Sequence, residues 1–167
     1  MALAPEQAGI GIRRHFTAAG THPYDMVEWE RRDARISNWK TGEVAFEQLG
    51  VEFPVGWSLN ATNIVAQKYF RGTLGTPERE WSLRQVADRV VDTVTAWGIA
   101  DGYFVDDDEA QAFSDELKYL IINQRAAFNS PVCSFRLPLI SSSTPTRMSW
   151  SWKVMSEETF SRSSTKV

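Results

Sequence analysis

Apolar and polar positions alternate with a period of two across the segment "ARISNWKTGEVAFEQLGVEF". Ile36 precedes a turn at Gly42, after which Val44 and Phe46 alternate with Glu43, Ala45 and Glu47, which predicts a β-hairpin. "PVGWS" follows as a Pro/Gly loop, and then the period changes. In "LNATNIVAQKYFRG" the positions Ile64, Val65, Lys68 and Tyr69 have helical spacing, with Gly72 as the stop. The strongest helical pattern runs from Ser82 to Trp97. Ser82 with Gln85 three residues on fits a capping box, Val86, Val90, Val94 and Trp97 share one face, Leu83, Ala87 and Val91 widen it, and Gly98 closes it. Another helix is predicted from Asp106–Glu109, where carboxylates suit the positive end of the helix dipole. It carries Phe113, Leu117, Leu120, Ile121 and Gln124 on one side, and Pro131 ends what remains. The pattern predicts an α+β fold, mainly helical, with an N-terminal β-hairpin followed by helices.

Composition changes this picture at one place. The 167 residues suffice for one domain with a proper core, and 43% hydrophobic with 23% charged is ordinary for a globular chain. Residues 1–132 hold 13 basic and 19 acidic side chains and five Ser; residues 133–167 hold five basic, two acidic, ten Ser and four Thr. That tail has no sustained period, and only the Trp150/Trp152 pair hints at a strand, so it reads as disordered. Residues 1–23 are weakly patterned and read as a flexible lead-in. The expected organisation is therefore 1–23, an ordered unit over 24–132, and a separate 133–167. A net charge of −3 gives no argument for nucleic acid or an anionic membrane. No apolar run approaches the ~20 residues of a membrane span. The start lacks the apolar core of a secretory signal, and the expected compartment is the cytoplasm.

Candidate chemistry is sparse. His15 and His22 lie seven apart without acidic or Cys partners at metal spacing, and read as exposed. "DDDE" at 106–109 lacks the glycine and alternation of a calcium loop and reads as a charged helix start. "EWERRDAR" at 28–35 reads as a solvated face with local ion pairs. Cys133, the one cysteine, has no histidine near it in sequence, and a single cysteine excludes an internal disulfide. In "AAFNSPV" two polar side chains and free N–H groups can face one point, either to hold a phosphate or sugar hydroxyl or as an Asx-type turn without a ligand.

Four segments, "YDMVEWERRDARI" (24–36), "GEVAFEQLGVEFPVGWSLNATNIVAQKYFRG" (42–72), "SLRQVADRVVDTVTAWGIADGYF" (82–104) and "LIINQRAAFNSPV" (120–132), occur in an order that resembles the N-terminal region of class II, adenosylcobalamin-dependent ribonucleotide reductases. The resemblance implies a helical region leading into a ten-stranded α/β barrel, which this chain lacks. It implies that Phe128, Asn129, Ser130, Pro131 and Val132 open the first barrel strand, with Ser130 and Asn129 as substrate-binding residues at the ribose or phosphate of a ribonucleotide. It further implies ribonucleoside-diphosphate reduction with a thioredoxin-type dithiol as reductant and adenosylcobalamin as cofactor of the full-length family. No cofactor is expected to bind this chain.

The likeness stops at Val132: where the family continues with Trp-Phe-Asn, this chain has Cys133, Ser134 and Phe135. The family's radical and redox cysteines have no counterpart. A chain with one cysteine cannot cycle a dithiol, so the expectation is a catalytically silent fragment. Its tail, 133–167, is expected to be a frameshift product. The alternative is a small helical interaction module derived from a reductase, contacting a reductase subunit or itself. A third reading is an unrelated α+β domain. Taken alone, the amphipathic faces should leave apolar surface exposed and favour aggregation.

Overall fold

A computed structural model describes residues 9–128. It consists of a 3-10 turn at Pro23–Met26, strands β1 (Trp29–Ser37) and β2 (Val44–Pro54), and helices α1 (Leu59–Lys68), α2 (Leu83–Ala100) and α3 (Asp107–Ile122). The strands pair antiparallel as a two-stranded sheet, and the architecture is a small α+β unit. Asn129, Ser130, Cys133 and the Trp150/Trp152 pair lie outside the described residues, as do the expected barrel strand and the Ser-rich tail.

The hairpin is longer than the alternation around Gly42 suggests, because the mixed-charge stretch from Trp29 is its first strand, with Glu30, Arg31, Asp33 and Arg35 on a solvated face and Arg32 paired with Glu30. Ala34 is fully buried there, and Arg32 points inward to the carbonyl of Trp57 (2.5 Å) and the hydroxyl of Thr62 (3.3 Å). A bulge then resets the register: Arg32 pairs with Val51 but Ala34 with Gln48, so Leu49 and Gly50 oppose Asp33 alone. The Asp33 carboxylate accepts the Gly50 N–H at 2.9 Å. Phe46 and Gln48 are half-buried before the bulge; after it, Val51 and Phe53 turn inward.

The core sits between the inner face of this hairpin and the helices. Ala34, Val51 and Phe53 pack with Ala66 of α1, Phe70, Leu83, Val86 and Ala87 of α2, and Ile122 at the end of α3. Burying side chains of this size stabilises by about 1.5–3 kcal/mol each for the larger ones. Helix α1 is capped by Ser58, whose hydroxyl accepts the Ala61 N–H, and ends at Tyr69. The loop after it is held by arginine: Arg79 donates to the carbonyls of Ala66 (2.6 Å), Phe70 (2.7 Å) and Gly72 (3.1 Å) and to Gln48 (2.9 Å). The Ala66 carbonyl, in the last turn of α1, would otherwise go without a partner. Burial holds the Arg79 guanidinium below its ordinary pKa.

Helix α2 begins with the expected capping box between Ser82 and Gln85. It runs through Gly98 to Ala100, because the glycine that takes the left-handed conformation at its end is Gly102, with φ +72°. Gly98 instead makes room for the Phe104 ring, from which a Cβ there would lie 2.5 Å. Trp97, placed on the apolar face by periodicity, is 41% exposed. Helix α3 starts as expected, with Asp106 as the cap. Its buried stripe, however, is Ala110, Ser114, Lys118 and Ile122, one position away from the apolar set. The reason is a polar network between helices: Lys118 reaches Asp92 (2.8 Å) and Asp88 (3.0 Å), and Asp88 accepts the Tyr24 hydroxyl (2.7 Å). No helix among the described residues is long and apolar enough to cross a membrane.

Candidate functional site

The chain leaves α3 through a strained and well-held turn. Asn123 caps the helix, and Gln124 has φ 55°, a left-handed conformation that a non-glycine residue adopts at a cost of roughly 1–2 kcal/mol. The Arg125 and Ala126 N–H groups fold back to the Leu120 carbonyl at 2.8 and 3.2 Å, and the Asn123 side chain donates to the Tyr119 carbonyl at 3.0 Å. Across from this turn, the Trp57 indole N–H donates to the Ile122 carbonyl at 2.7 Å, and the Trp57 ring packs 5.5 Å from Phe53. The direction in which residues 125–128 depart is thereby tied to the hairpin.

Beside the turn lies an open cavity of about 330 Å³, lined by Val27, Glu28, Pro54, Val55, Trp57 and Gln124 among others. A second groove, about 360 Å³, lies between α2 and the first half of α3.

A strap closes the other side of α3. Glu109 accepts the N–H groups of Ile12 (2.7 Å) and Val105 (2.7 Å). Two turns further on, Glu116 accepts the N–H groups of His15, Phe16 and Thr17 and the Thr17 hydroxyl. Arg14 pairs with Asp115 at 2.7 Å, the Phe16 ring stacks on Tyr119 at 5.1 Å, and the Arg125 guanidinium lies 5.3 Å over Phe16. Over residues 9–17 the lead-in expected to be flexible is thus bonded along α3.

The electrostatics follow from these contacts. The Val105 and Ile12 N–H groups hold the Glu109 carboxyl below its ordinary range. Burial pushes Glu116 upward, but the Thr17 hydroxyl and the Phe16, His15 and Thr17 N–H groups more than offset it, and its pKa is lowered. Burial raises the Tyr24 phenol well above its usual value, and its hydrogen bond to Asp88 raises it further. Burial likewise pushes Lys118 down, while its bonds to Asp92 and Asp88 prevail and leave it raised.

Among the sequence-derived candidates, Phe128 is half-buried, and Asn129 and Ser130 fall just beyond the described residues. His15 is exposed, with its N–H on Glu116; His22 accepts the Tyr24 N–H at Nδ1 and caps the 3-10 turn. The two histidines share no site. Among the described residues no cluster of His, Cys, Asp or Glu is arranged to hold a metal ion. Sequence reasoning missed Trp57, Arg32, Glu109 and Glu116. The spacing of seven between the two glutamates on one helix was a usable signal.

The model of the class II vitamin B12-dependent ribonucleotide reductase family matches residues 30–124, more than half the chain. This chain belongs to that family. It is 52% identical over 124 residues to the vitamin B12-dependent ribonucleotide reductase of Streptomyces coelicolor, covering 74% of this chain and 13% of the relative. The enzyme of Rhodopirellula baltica is 41% identical over 133 residues, 78% of this chain and 13% of its own length. That of Bradyrhizobium diazoefficiens is 34% identical, over 72% of this chain and 12% of its own. The chain therefore spans about an eighth of these relatives, in the N-terminal region of the enzyme. Adenosylcobalamin is the family's cofactor. Neither of these two cavities, of about 330 and 360 Å³, is large enough to enclose a corrinoid bearing an adenosyl group.

Proposed function

We propose that this chain supplies the entry to the substrate pocket of an adenosylcobalamin-dependent ribonucleoside-diphosphate reductase and is catalytically silent alone. The observation that carries this reading is the clamped exit of α3. Trp57, the left-handed Gln124 and the Phe16–Arg125 contact together fix the approach to Phe128, one residue before Asn129 and Ser130. A catalytic constellation loses rate steeply when its substrate-holding groups are misplaced by an ångström, and rigid support of this kind is how proteins avoid it. In this reading the Ser130 hydroxyl and the Asn129 amide meet the ribose or phosphate of the ribonucleotide.

Reduction of the ribose removes its hydroxyl as water and consumes two electrons, which a thioredoxin-type dithiol delivers by becoming a disulfide. One cysteine in 167 residues cannot do so within this chain. The working unit is residues 24–132 with its strap, residues 133–167 take no part, and the reaction belongs in the cytoplasm.

The test is a chimera in which residues 1–132 replace the matched region of the Streptomyces coelicolor enzyme. Turnover of a ribonucleoside diphosphate with adenosylcobalamin and a dithiol is expected from the chimera and not from the isolated chain. Ser130→Ala in the chimera should lower kcat/KM by tenfold or more. A correctly folded chimera without turnover would overturn the reading, and binding without turnover would favour a non-catalytic interaction module.

A further inference from the structure

We propose that the strap is an exchangeable arm: the face of α3 that residues 9–17 cover also takes the same segment of a second copy of this chain, giving a reciprocal two-fold dimer.

Two observations lead there. The first is the nature of the seat. Glu109 and Glu116 accept main-chain N–H groups, those of Ile12, His15, Phe16 and Thr17, which an extended segment of this sequence presents whichever molecule it belongs to. Register is set by two side chains, Arg14 on Asp115 at 2.7 Å and the Phe16 ring stacked on Tyr119. The Ile10 N–H adds a bond to the Tyr103 carbonyl at 3.0 Å. These partners all lie on α3 or in the turn before it, so either copy carries a complete seat.

The second observation is the hinge. Residues 18–21 are exposed, Gly20 has φ +82°, and the turn is closed by the Thr21 N–H on the Ala18 carbonyl at 3.3 Å, long for a hydrogen bond. Directly beyond it the chain is anchored again: Pro23 and Tyr24 are buried, and the Tyr24 hydroxyl is held by Asp88. An arm with specific contacts, joined through an exposed hinge, is the arrangement that domain swapping uses. Opening gives up only the turn, because each strap contact is remade on the partner copy. Closure onto the chain's own α3 wins in dilute solution, since a short linker gives an effective concentration on the order of millimolar. The hinge therefore sets the balance between the two forms.

Sedimentation of the full-length chain, combined with hydrogen exchange at Ile12, His15, Phe16 and Thr17, tests this. Deleting Ala18, Ala19 and Gly20 removes the turn that returns the strap to its own α3. It should lower the dimer dissociation constant by about tenfold or more, with the four amides protected only in the dimer. Gly20→Pro, which cannot hold φ +82°, opens the same turn without shortening it and should shift the constant the same way. Glu116→Lys added to either variant removes the seat and should return the protein to monomer. A monomeric hinge variant with those amides still protected would overturn the proposal, since the strap would then close on its own chain without its turn. So would a hinge variant that stays monomeric with the amides unprotected, or a dimer that survives Glu116→Lys. The same outcomes are read on either hinge variant.

Discussion

Glu116→Gln measures what the strap is worth. The Glu116 Oε1 atom is within bonding distance of four donors: the N–H groups of His15 (3.0 Å), Phe16 (3.0 Å) and Thr17 (2.8 Å), and the Thr17 hydroxyl (2.7 Å). An oxygen with two lone pairs cannot take four full hydrogen bonds, so the set counts as about two. A hydrogen bond to a charged acceptor contributes about 1.5–3 kcal/mol, and partial exposure places these at the lower end. Glutamine keeps a neutral acceptor of similar shape at about half the strength. The expected loss is therefore ~1–2 kcal/mol, or roughly 3–8 °C in the midpoint of a unit this size.

The assay is urea unfolding followed by tryptophan fluorescence, for both proteins, from pH 8 down to pH 3. The folded-state pKa of Glu116 is lowered from its ordinary 4.5, so its contribution is complete above that value and is lost as pH falls through the folded-state value. The gap between the two proteins should be constant down to about pH 5 and shrink below it. Glu109 is also depressed but is common to both proteins and cancels. Equal stability at neutral pH would refute the argument. A gap unchanged in acid would show that shape, not charge, is what Glu116 contributes.

Gly72→Ala should cost about 2–4 kcal/mol by thermal melting: φ is +81° and a Cβ would meet the Glu78 carbonyl oxygen at 2.3 Å, a backbone atom that cannot swing aside. Gln124→Gly should stabilise the isolated chain by about 0.5–1 kcal/mol by relieving the left-handed turn; a loss of stability would show that the Gln124 side chain outweighs the strain. Lys118→Met should cost about 1–2 kcal/mol in urea, because it leaves Asp88 and Asp92 close together without the cation, though both carboxylates are partly screened by solvent. Since the Lys118 pKa is raised, this difference should be complete at neutral pH and vanish as pH climbs through the folded-state value above 10.5.

Local chemistry made much of the fold legible in the sequence. The Ser82/Gln85 box, the carboxylates at 106–109 and the Gly42 turn each solve a nearest-neighbour problem, and each appears where the residues say. What stayed hidden depends on partners distant in sequence. Arg32 and Ala34 turn inward from a strand whose other charges are exposed, and nothing near them in sequence marks those two positions until Trp57 and Thr62 arrive to meet Arg32. Lys118 occupies a core position only because Asp88 and Asp92 come from another helix. The bulge at Asp33 breaks the period of two that strand reading relies on. The strap was least legible: the spacing of Glu109 and Glu116 marks one side of it, but their partners are main-chain N–H groups, and those carry no signature in side chains. For the candidate site, sequence and resemblance pointed to the segment after α3, whereas the clamp that aims it became visible only in three dimensions.

The strap also fixes an order of events during synthesis. Residues 12–17 bond to Glu109 and Glu116 across 97 to 101 positions of sequence, so the first described segment cannot find its place until the last helix exists. The hairpin and α1 can assemble locally as they emerge, but nearly the whole unit must be closed into one loop before the strap engages. At ~5–20 residues per second, the leading segment waits at least about five seconds after leaving the ribosome, unpartnered, for α3 to follow. The first described residues and α3 are therefore expected to find their places in the same step.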